Sequence, residues 1–405
     1  MIPFNKPFLT GKEAHYIYQA VYSGKLSGNG LYTKMCQKFF EEHYGFKKAL
    51  MTTSCTDALE MAAILCDVRP GDEVIAPSYT FVSTVLAFVR QGAKIVFCDS
   101  CEDNPNIDAD KIESLITPRT KVIVPVHYAG VACDMDKIMD IANRHNILVV
   151  EDAAQAIDSY YKGRPLGSIG HLGCFSFHET KNIIAGEGGL LSINDDRFIR
   201  RSEIIWEKGT NRSEFFRGEV NKYGWVDTGS SFLPSELISA FLWAQIENMD
   251  MIQTRRKEIW QQYFQGLESL AANGCFNLPV IPEYATNNAH MFYIVCNSLE
   301  DRSKLIKHLK DNGILSVFHY LSLHRSEFYL KHPDSRPDNY QNTELAQVVN
   351  FDGSITDEEQ VVGLNLPNCD RFADCLLRLP MYYELTDEEV TKIIDEIHSF
   401  YKKEI

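Results

Sequence analysis

Residues 147–155 read ILVVEDAAQ, an apolar run that ends in two carboxylates. A run this short that is apolar on both faces is typical of a strand in a parallel sheet with helices covering both sides. The stretch 135–146 has helical periodicity, and a second apolar run, 121–127, precedes it. The sequence therefore predicts a strand–helix–strand unit that ends at Glu151 and Asp152.

The same alternation continues upstream of this unit. Helices are predicted at 57–66 and 80–92, and strands at 74–76 and 94–99. Short apolar strands separated by helices indicate an α/β domain with a mainly parallel sheet. We assign residues 1–250 to this large domain.

The pattern changes after about residue 250. Long helices are expected over 235–270, and a smaller α+β domain, 251–405, is expected to follow. Its predicted elements are strands at 290–296 and 315–320 and helices at 303–313 and 387–403. The polar stretch 331–370 is predicted to be a long loop or an excursion from the domain.

Composition narrows the possible partners. A net charge of -15 over 405 residues argues against nucleic acid, which requires a basic surface. No signal peptide and no apolar stretch of membrane-spanning length is present, so we expect a cytoplasmic protein with no membrane contact. Eleven scattered cysteines fit a reducing compartment. A lone CxxC at 98–101 and the lack of an HExxH motif lead us to expect no metal.

Polar residues follow several predicted strands, where open α/β sheets bind their ligands. Asp152 and Gln155 follow one strand, and Ser176 and Lys181 follow another, in CFSFHETKNIIAGEGG (174–189). The glycines after Lys181 would let backbone approach a flat ligand closely. Taken singly, the carboxylate could be an ordinary strand end and the lysine a solvated surface residue.

Two further features lie at predicted element ends. Ser54, Cys55 and Thr56 begin a helix, which could be an ordinary N-cap or a phosphate site. Phe81 could be a core residue or a stacking face. Together with the carboxylate and the lysine, these features match one ligand, pyridoxal 5′-phosphate (PLP). Its phosphate, ring, ring nitrogen and aldehyde need these four kinds of partner.

Six stretches then resemble, in order and spacing, the DegT/DnrJ/EryC1/StrS family of PLP-dependent nucleotide-sugar aminotransferases. They are SCTDALEMA, GDEVIAPSYTFVST, VIVPVHYAGVACDMD, VVEDAAQA, FSFHETK and GEGG. The resemblance covers nearly the whole chain. It implies the aspartate-aminotransferase-like fold, called fold type I, and a homodimer whose active sites form between two chains.

The resemblance also implies roles for individual residues. Lys181 matches the lysine that binds the cofactor aldehyde, and Asp152 matches the partner of the ring nitrogen. Gln155 matches the residue that contacts the ring 3-oxygen, and Phe81 the stacking aromatic. The implied phosphate contacts are Ser176 with Ser54, Cys55 and Thr56.

One position departs from the family pattern. The family usually donates an asparagine from the neighbouring subunit to the phosphate, and Leu233 occupies that place here. Ser230 or Ser231 could substitute for it. The homodimer is still expected.

Five further stretches bear on the substrate. MIPFN, SGKL, HETKN, EKGTNRS and AHMFYI resemble a narrower group in the family, which forms dTDP-4-amino-4,6-dideoxygalactose with glutamate as donor. That group serves surface-polysaccharide pathways such as O-antigen and enterobacterial common antigen. The alternatives are the glucose-configured product and a PLP-binding regulator without turnover.

A nucleotide diphosphate requires local cations in so acidic a chain. The candidates are Lys25 near the N-terminus and Arg212 in EKGTNR, with His319 and His324 after a small-domain strand. Each could equally be a solvated charge or an ordinary loop histidine.

Overall fold

The computed structural model describes residues 1–349 and 355–404. The large domain contains nine strands: β1 Lys48–Thr52, β2 Glu73–Pro77, β3 Lys94–Cys98, β4 Thr120–Ile123, β5 Leu148–Asp152, β6 Tyr160–Tyr161, β7 Arg164–Pro165, β8 Leu172–Ser176 and β9 Gly189–Ile193. Its helices are α1 Glu13–Tyr22, α2 Leu31–Tyr44, α3 Cys55–Leu65, α4 Ser83–Val89, α5 Ala109–Ile112, α6 Met135–His145, α7 Asp196–Trp206, α8 Arg212–Phe216 and α9 Glu236–Ile246.

Seven of these strands form one sheet in the order β1-β9-β8-β5-β4-β2-β3. The pairs from β3 through β2, β4 and β5 to β8 are parallel, and β9 runs antiparallel to both of its neighbours. The prediction of a mainly parallel α/β sheet is confirmed. Because β5 and β8 are parallel neighbours, their carboxyl ends lie at the same edge.

The predicted unit around 147–153 forms as expected. Asp134 caps the start of α6 by accepting a hydrogen bond from the Lys137 N–H, and Asn146 ends the helix in the left-handed region (φ 53°). The strand predicted over 121–127 stops at Ile123, and Val126 makes only an isolated bridge with Asp152. Pro125, which lacks an N–H, interrupts the ladder there.

The remaining chain forms a smaller α+β unit. Its elements are α10 Met249–Ala272, β10 Phe276–Asn277, β11 Phe292–Cys296, α11 Leu299–Asp311, α12 Glu327–Lys331, β12 Thr343–Val349, β13 Ile355–Val361, α13 Pro367–Cys375, β14 Leu376–Leu379 and α14 Asp387–Glu404. Strands β10, β11 and β14 form an antiparallel sheet. Apolar residues of that sheet pack with those of α10, α11 and α14 in one cluster. Helix α10 begins at Met249 and continues across residue 250. The domain boundary placed at residue 250 therefore stays a prediction.

One prediction for this region was wrong, and another was incomplete. Residues 315–320 form no strand, and Val317 makes a single bridge with Arg378. The stretch 331–370 is not simply a loop, because β12 and β13 pair along seven residues each. The residues between these two strands lie outside the described ranges. Within those ranges, no helix combines the length and apolarity that crossing a membrane requires.

Candidate active site

A cavity of about 580 Å³ opens at the carboxyl edge of the sheet. The end of β5, the loop after β8, the start of α3 and the small-domain strand β14 all contribute to its wall. The structure brings most of the predicted site residues together here: Ser54, Cys55, Thr56, Phe81, Asp152, Gln155, Ser176, Lys181 and His319. The parallel arrangement of β5 and β8 accounts for this convergence.

Asp152 is the last residue of β5 and is buried. Thr84 donates a hydrogen bond from Oγ1 to its Oδ2 at 2.7 Å, and the Ala154 N–H donates to Oδ1 at 3.1 Å. Burial raises the pKa of the Asp152 carboxyl, against the lowering effect of these two hydrogen bonds and of Lys181. An added cation at this carboxylate would favour its charged form.

The preceding residue, Glu151, faces the other side of β5 and is fully buried. Its carboxylate accepts hydrogen bonds from the N–H groups of Gly167, Ile169 and Gly170, at 2.5–2.8 Å, and lies 2.9 Å from His127 Nε2. Every one of these contacts is internal to the protein. Glu151 therefore organises the turn that leads into β8.

Lys181 lies in the loop between β8 and β9 and reaches the same cavity. Burial lowers the pKa of its amine below the ordinary value of a lysine. No hydrogen bond or ion pair engages Nζ within the described residues. A desolvated lysine with a lowered pKa is available as a base and as a nucleophile.

The start of α3 is suited to an anion. Ser54 is the N-cap and accepts a hydrogen bond from the Asp57 N–H at 3.1 Å. The N–H groups of Cys55 and Thr56 have no partner inside the helix. They point toward the helix N-terminus, where the dipole favours negative charge.

Gly189 sets the distance between β9 and α3. A Cβ at this position would lie 2.4 Å from the backbone carbonyl of Ser54 and 2.6 Å from the Cys55 nitrogen. The close approach is therefore between two backbone segments, whereas the sequence had suggested an approach to the ligand itself. This glycine fixes where the anion-binding helix begins.

We expect Gly189→Ala to destabilise the protein by about 1–3 kcal/mol, the usual cost of overpacking, because β9 or α3 must shift. The measurement is the free energy of unfolding in denaturant. Gly188→Ala is the matched control, since its nearest contact would be 3.3 Å from the Ala185 Cβ. Equal stability of the two variants would contradict the assignment.

Gln155 and Phe81 lie on different parts of the wall. Both polar atoms of the Gln155 amide are hydrogen-bonded. Its Oε1 accepts from the Ala129 N–H at 2.6 Å, and its Nε2 donates to Tyr320 Oη at 3.0 Å. Phe81 remains 55% exposed, with its ring 6.0 Å from the Tyr320 ring. It lines the cavity and is more than half exposed, and its stacking role stays a prediction.

The two histidines predicted to contact the substrate lie in different places. His319 lines the cavity, with Nδ1 2.6 Å from Tyr128 Oη, and burial lowers its pKa well below the ordinary value. His324 does not reach the cavity. Its ring is buried between Ser78 Oγ at 2.8 Å and the Asp370 carboxylate at 3.6 Å. These contacts favour a structural role for His324.

Lys25 and Arg212 lie elsewhere, in a second cavity of about 830 Å³. Ser231 and Leu233 also line it, whereas Ser230 is exposed and contacts Lys208 through its backbone. Within one chain, these cations do not share a cavity with Lys181. They can serve the same site only if two copies of the chain meet.

Sequence reasoning missed His290, which also lines the first cavity. Asn182 uses its Nδ2 to donate to Gln253 Oε1 and the Asn288 carbonyl, so its Oδ1 accepts from His290 Nδ1 at 2.8 Å. The Nε2 of this neutral imidazole is left as an acceptor. Phe4, Thr84, Tyr320 and Arg378 were missed as well.

A nucleophilic lysine, a buried carboxylate and a helix start at the carboxyl edge of a mainly parallel sheet fit PLP. The α3 amides would hold its phosphate, Asp152 its ring nitrogen and Lys181 its aldehyde. This fold and site define an enzyme of the aspartate-aminotransferase type, with fold type I architecture.

Comparison with known proteins identifies the family. The model of the DegT/DnrJ/EryC1/StrS aminotransferase family matches residues 8–351, and the chain belongs to that family. It is therefore a PLP-dependent sugar aminotransferase. The spore coat polysaccharide biosynthesis protein SpsC of Bacillus subtilis is 30% identical over 99% of this chain and 97% of its own. GDP-perosamine synthase of Caulobacter vibrioides is 34% identical over 77% of this chain and 83% of its own.

Solved structures agree with this assignment. The putative sugar aminotransferase Spr1654 from Streptococcus pneumoniae, in its PMP form, superposes with a TM-score of 0.86, at 26% identity and full coverage of both chains. DesV of S. venezuelae, in complex with a ketimine intermediate, has a TM-score of 0.83 at 28% identity and 98% coverage of both chains. The expected fold class is confirmed.

Proposed function

We propose that this enzyme transfers the amino group of glutamate to dTDP-4-keto-6-deoxy-D-glucose and forms dTDP-4-amino-4,6-dideoxy-D-galactose. The observation that carries the transamination is the single cavity shared by Lys181, Asp152 and the start of α3. The dTDP group and the galactose configuration rest on the stretches that resemble the narrower group, such as HETKN and AHMFYI.

Lys181 and Asp152 have different roles in the reaction. When bound, PLP draws electrons away from the bond between the donor Cα and its hydrogen. Lys181 Nζ is placed to accept that proton, and the lowered pKa of the amine favours the neutral form that this role requires. Asp152 holds the proton on the ring nitrogen by stabilising its positive charge.

The product test is an NMR assignment after incubation of the enzyme with the keto sugar nucleotide and glutamate. An axial amine at C4 supports the galactose configuration, and an equatorial amine would give the glucose-configured alternative. A regulator without turnover would bind PLP but show no change in cofactor absorbance with glutamate. The desolvated, unpaired Lys181 amine favours turnover over that last alternative.

We further propose that two chains complete each site as a homodimer. The observation is that Lys25 and Arg212 line a cavity separate from that of Lys181. Phe216 lines this second cavity and is 69% exposed, and Trp225, which forms a bridge with Thr210 close to Arg212 in the chain, is 85% exposed. Exposed apolar groups of this size favour an interface. Light scattering should give the mass of a dimer.

Mixed dimers test the shared site directly. We expect Lys181→Ala and Arg212→Ala chains to regain roughly a quarter of wild-type activity after dissociation and reassociation together, because half the dimers are mixed and each has one intact site. The comparison is made at a sugar-nucleotide concentration well below the wild-type KM, where the raised KM leaves Arg212→Ala defective alone. The assay is the rate of 4-amino sugar formation.

The matched control combines Lys181→Ala with Asp152→Asn. Both side chains line the same cavity of one chain, so mixing these variants should restore no activity. If Lys181→Ala and Arg212→Ala also fail to complement, Arg212 does not act across the interface.

Arg212→Ala alone should raise the KM for the sugar nucleotide about tenfold or more, because its guanidinium is proposed to bind the diphosphate. The glutamate half-reaction, followed by cofactor absorbance, should stay near wild type, since that half-reaction does not involve the sugar. An equal loss in both half-reactions would place Arg212 at the cofactor or donor.

A further inference from the structure

His290 offers the cavity a hydrogen-bond acceptor that the proposed mechanism does not use. The residue lies just before β11, is only 6% exposed and lines the same cavity as Lys181. Its Nδ1 is hydrogen-bonded to Asn182, whereas no hydrogen bond engages Nε2 among residues 1–349 and 355–404. Nε2 is therefore the atom of this imidazole that a ligand can reach.

A chain of side chains fixes which nitrogen of His290 carries the proton. The chain ends at Asp158, whose carboxylate accepts hydrogen bonds, so Gln253 donates to it from Nε2 at 3.4 Å. Gln253 Oε1 then accepts from Asn182 Nδ2 at 2.8 Å, which leaves Asn182 Oδ1 to accept from His290. Each donor in the chain lies on the cavity side of its acceptor. The imidazole proton is therefore on Nδ1, and Nε2 keeps its lone pair.

The surroundings of His290 oppose a second proton on the ring. Burial lowers the pKa of the imidazole well below its ordinary value. Three positive charges add to this lowering: Lys181, Arg256 and Arg378. The backbone is held as well, because the His290 N–H donates to Asn288 Oδ1 at 3.0 Å and Arg256 donates to the His290 carbonyl at 2.6 Å. His290 thus presents a fixed, neutral acceptor.

A lone pair in this position needs a hydrogen-bond donor, and Lys181 is the nearest candidate within the chain. Its Nζ also lies in the cavity without a hydrogen bond to any described residue. Nζ and Nε2 are nevertheless not bonded to each other, although no competing hydrogen bond among the described residues occupies either atom. The lysine is therefore not the resting partner of Nε2, and the donor has to come from a ligand.

The two substrates differ in the donors that they bring. Glutamate carries two carboxylates, which accept hydrogen bonds when ionised, and one amino group, which is the group transferred. The keto sugar carries hydroxyl groups on C2 and C3 of its ring. The C3 hydroxyl is adjacent to the reacting C4, and His290 is close enough to Lys181 to feel the charge of that amine. A neutral acceptor in this place fits a hydroxyl of the sugar and repels a carboxylate.

We infer that His290 Nε2 accepts a hydrogen bond from the C3 hydroxyl of the keto sugar and thereby selects sugars that carry it, a role that rests on the proposed sugar-nucleotide substrate. A site with a buried acceptor discriminates against an analogue that lacks the matching hydroxyl, because the acceptor is then left without a partner. Asn182 contributes to the same selection by holding the ring in one tautomer.

The experiment combines a variant of the enzyme with an analogue of the substrate. His290→Asn keeps an amide nitrogen near the place of Nδ1 and removes the acceptor that faces the cavity. We expect it to lower kcat/KM of the sugar half-reaction, started from the aminated cofactor form, by about 10- to 100-fold. The 3-deoxy analogue of the keto sugar nucleotide should cost the wild-type enzyme a similar factor. Together the two changes should cost no more than either alone, within about threefold, because they remove the same hydrogen bond.

The controls separate this role from a structural one. The glutamate half-reaction of His290→Asn should stay within about threefold of wild type, since that half-reaction involves no sugar. The 2-deoxy analogue should still distinguish nothing between the two enzymes. His308→Asn is the matched control variant, because His308 is partly buried beside Glu396 in the same domain and does not line the cavity.

Two results would overturn the inference. Factors that multiply when the variant meets the 3-deoxy analogue would show that His290 and the C3 hydroxyl act independently. Equal loss in both half-reactions would show that His290 supports the fold or Lys181 and does not select the sugar.

The tautomer of His290 tests the acceptor without any sugar. Long-range ¹⁵N correlation spectra of the histidine-labelled holoenzyme should place the proton on Nδ1, and loss of the signal in His290→Asn identifies the residue. A proton on Nε2, or on both nitrogens, would overturn the inference. A wild-type enzyme that formed no 4-amino sugar would contradict the proposed function, while the Nδ1–H tautomer would still support an acceptor at this place.

Discussion

Lys181→Ala is expected to lower the rate of transamination by about 10⁴-fold or more, the upper range for loss of a positioned acid–base group. Lys181 carries the one amine among the described residues that line the cavity. The other cation there, Arg378, stays protonated and cannot replace it as a base. The measurement is single-turnover loss of the bound-cofactor absorbance after addition of glutamate.

The same variant should still bind PLP, because the start of α3 and the ring contacts remain. Retained cofactor distinguishes loss of chemistry from loss of folding. Lys162→Ala is a suitable control, since that lysine is exposed and paired with Asp136 at 2.8 Å, away from the cavity. Appreciable turnover by Lys181→Ala would refute the assignment.

Asp152→Asn should slow proton abstraction by about 10²-fold or more, which is typical of removing one electrostatic partner of the reacting group. A neutral amide cannot hold the ring nitrogen in its protonated state, although it can occupy the same space. Thr84 and Ala154 donate to different oxygens of the Asp152 carboxylate. In asparagine one of these oxygens is replaced by an NH2 group, which cannot accept a hydrogen bond, so one of the two hydrogen bonds is also weakened.

The measurement for Asp152→Asn is the rate of the glutamate half-reaction at saturating glutamate, together with the visible spectrum of the bound cofactor. Bound cofactor with an intact fold and a slow half-reaction is the expected combination. A rate within a few-fold of wild type would mean that another group protonates the ring.

The part of the site carried by the large domain could be predicted from sequence. A parallel sheet brings the ends of its neighbouring strands to one edge, so Asp152 and Lys181 had to lie near each other once β5 and β8 were recognised. The start of helix α3 could also be predicted, because Ser54 is a typical N-cap residue. Local patterns and one general property of parallel sheets were sufficient here.

Apart from His319, the contribution of the small domain could not be predicted in this way. Arg378 and His290 reach the cavity through the packing of one domain against the other, which no local pattern encodes. A signal for Arg378 existed, because it interrupts the apolar run of β14. The substrate role of His324 stays a prediction, and the contacts that favour a structural role, Ser78 and Asp370, come from distant parts of the chain and could not be read from local sequence either.

The adjacent acids Glu151 and Asp152 would look alike in a mutational scan scored by growth, because loss of either should abolish function. Scoring cellular abundance in parallel would separate them. Substituting Glu151 leaves three backbone N–H groups without their acceptor, so those variants should be depleted by proteolysis. Variants of Asp152 should instead accumulate as folded but inactive enzyme.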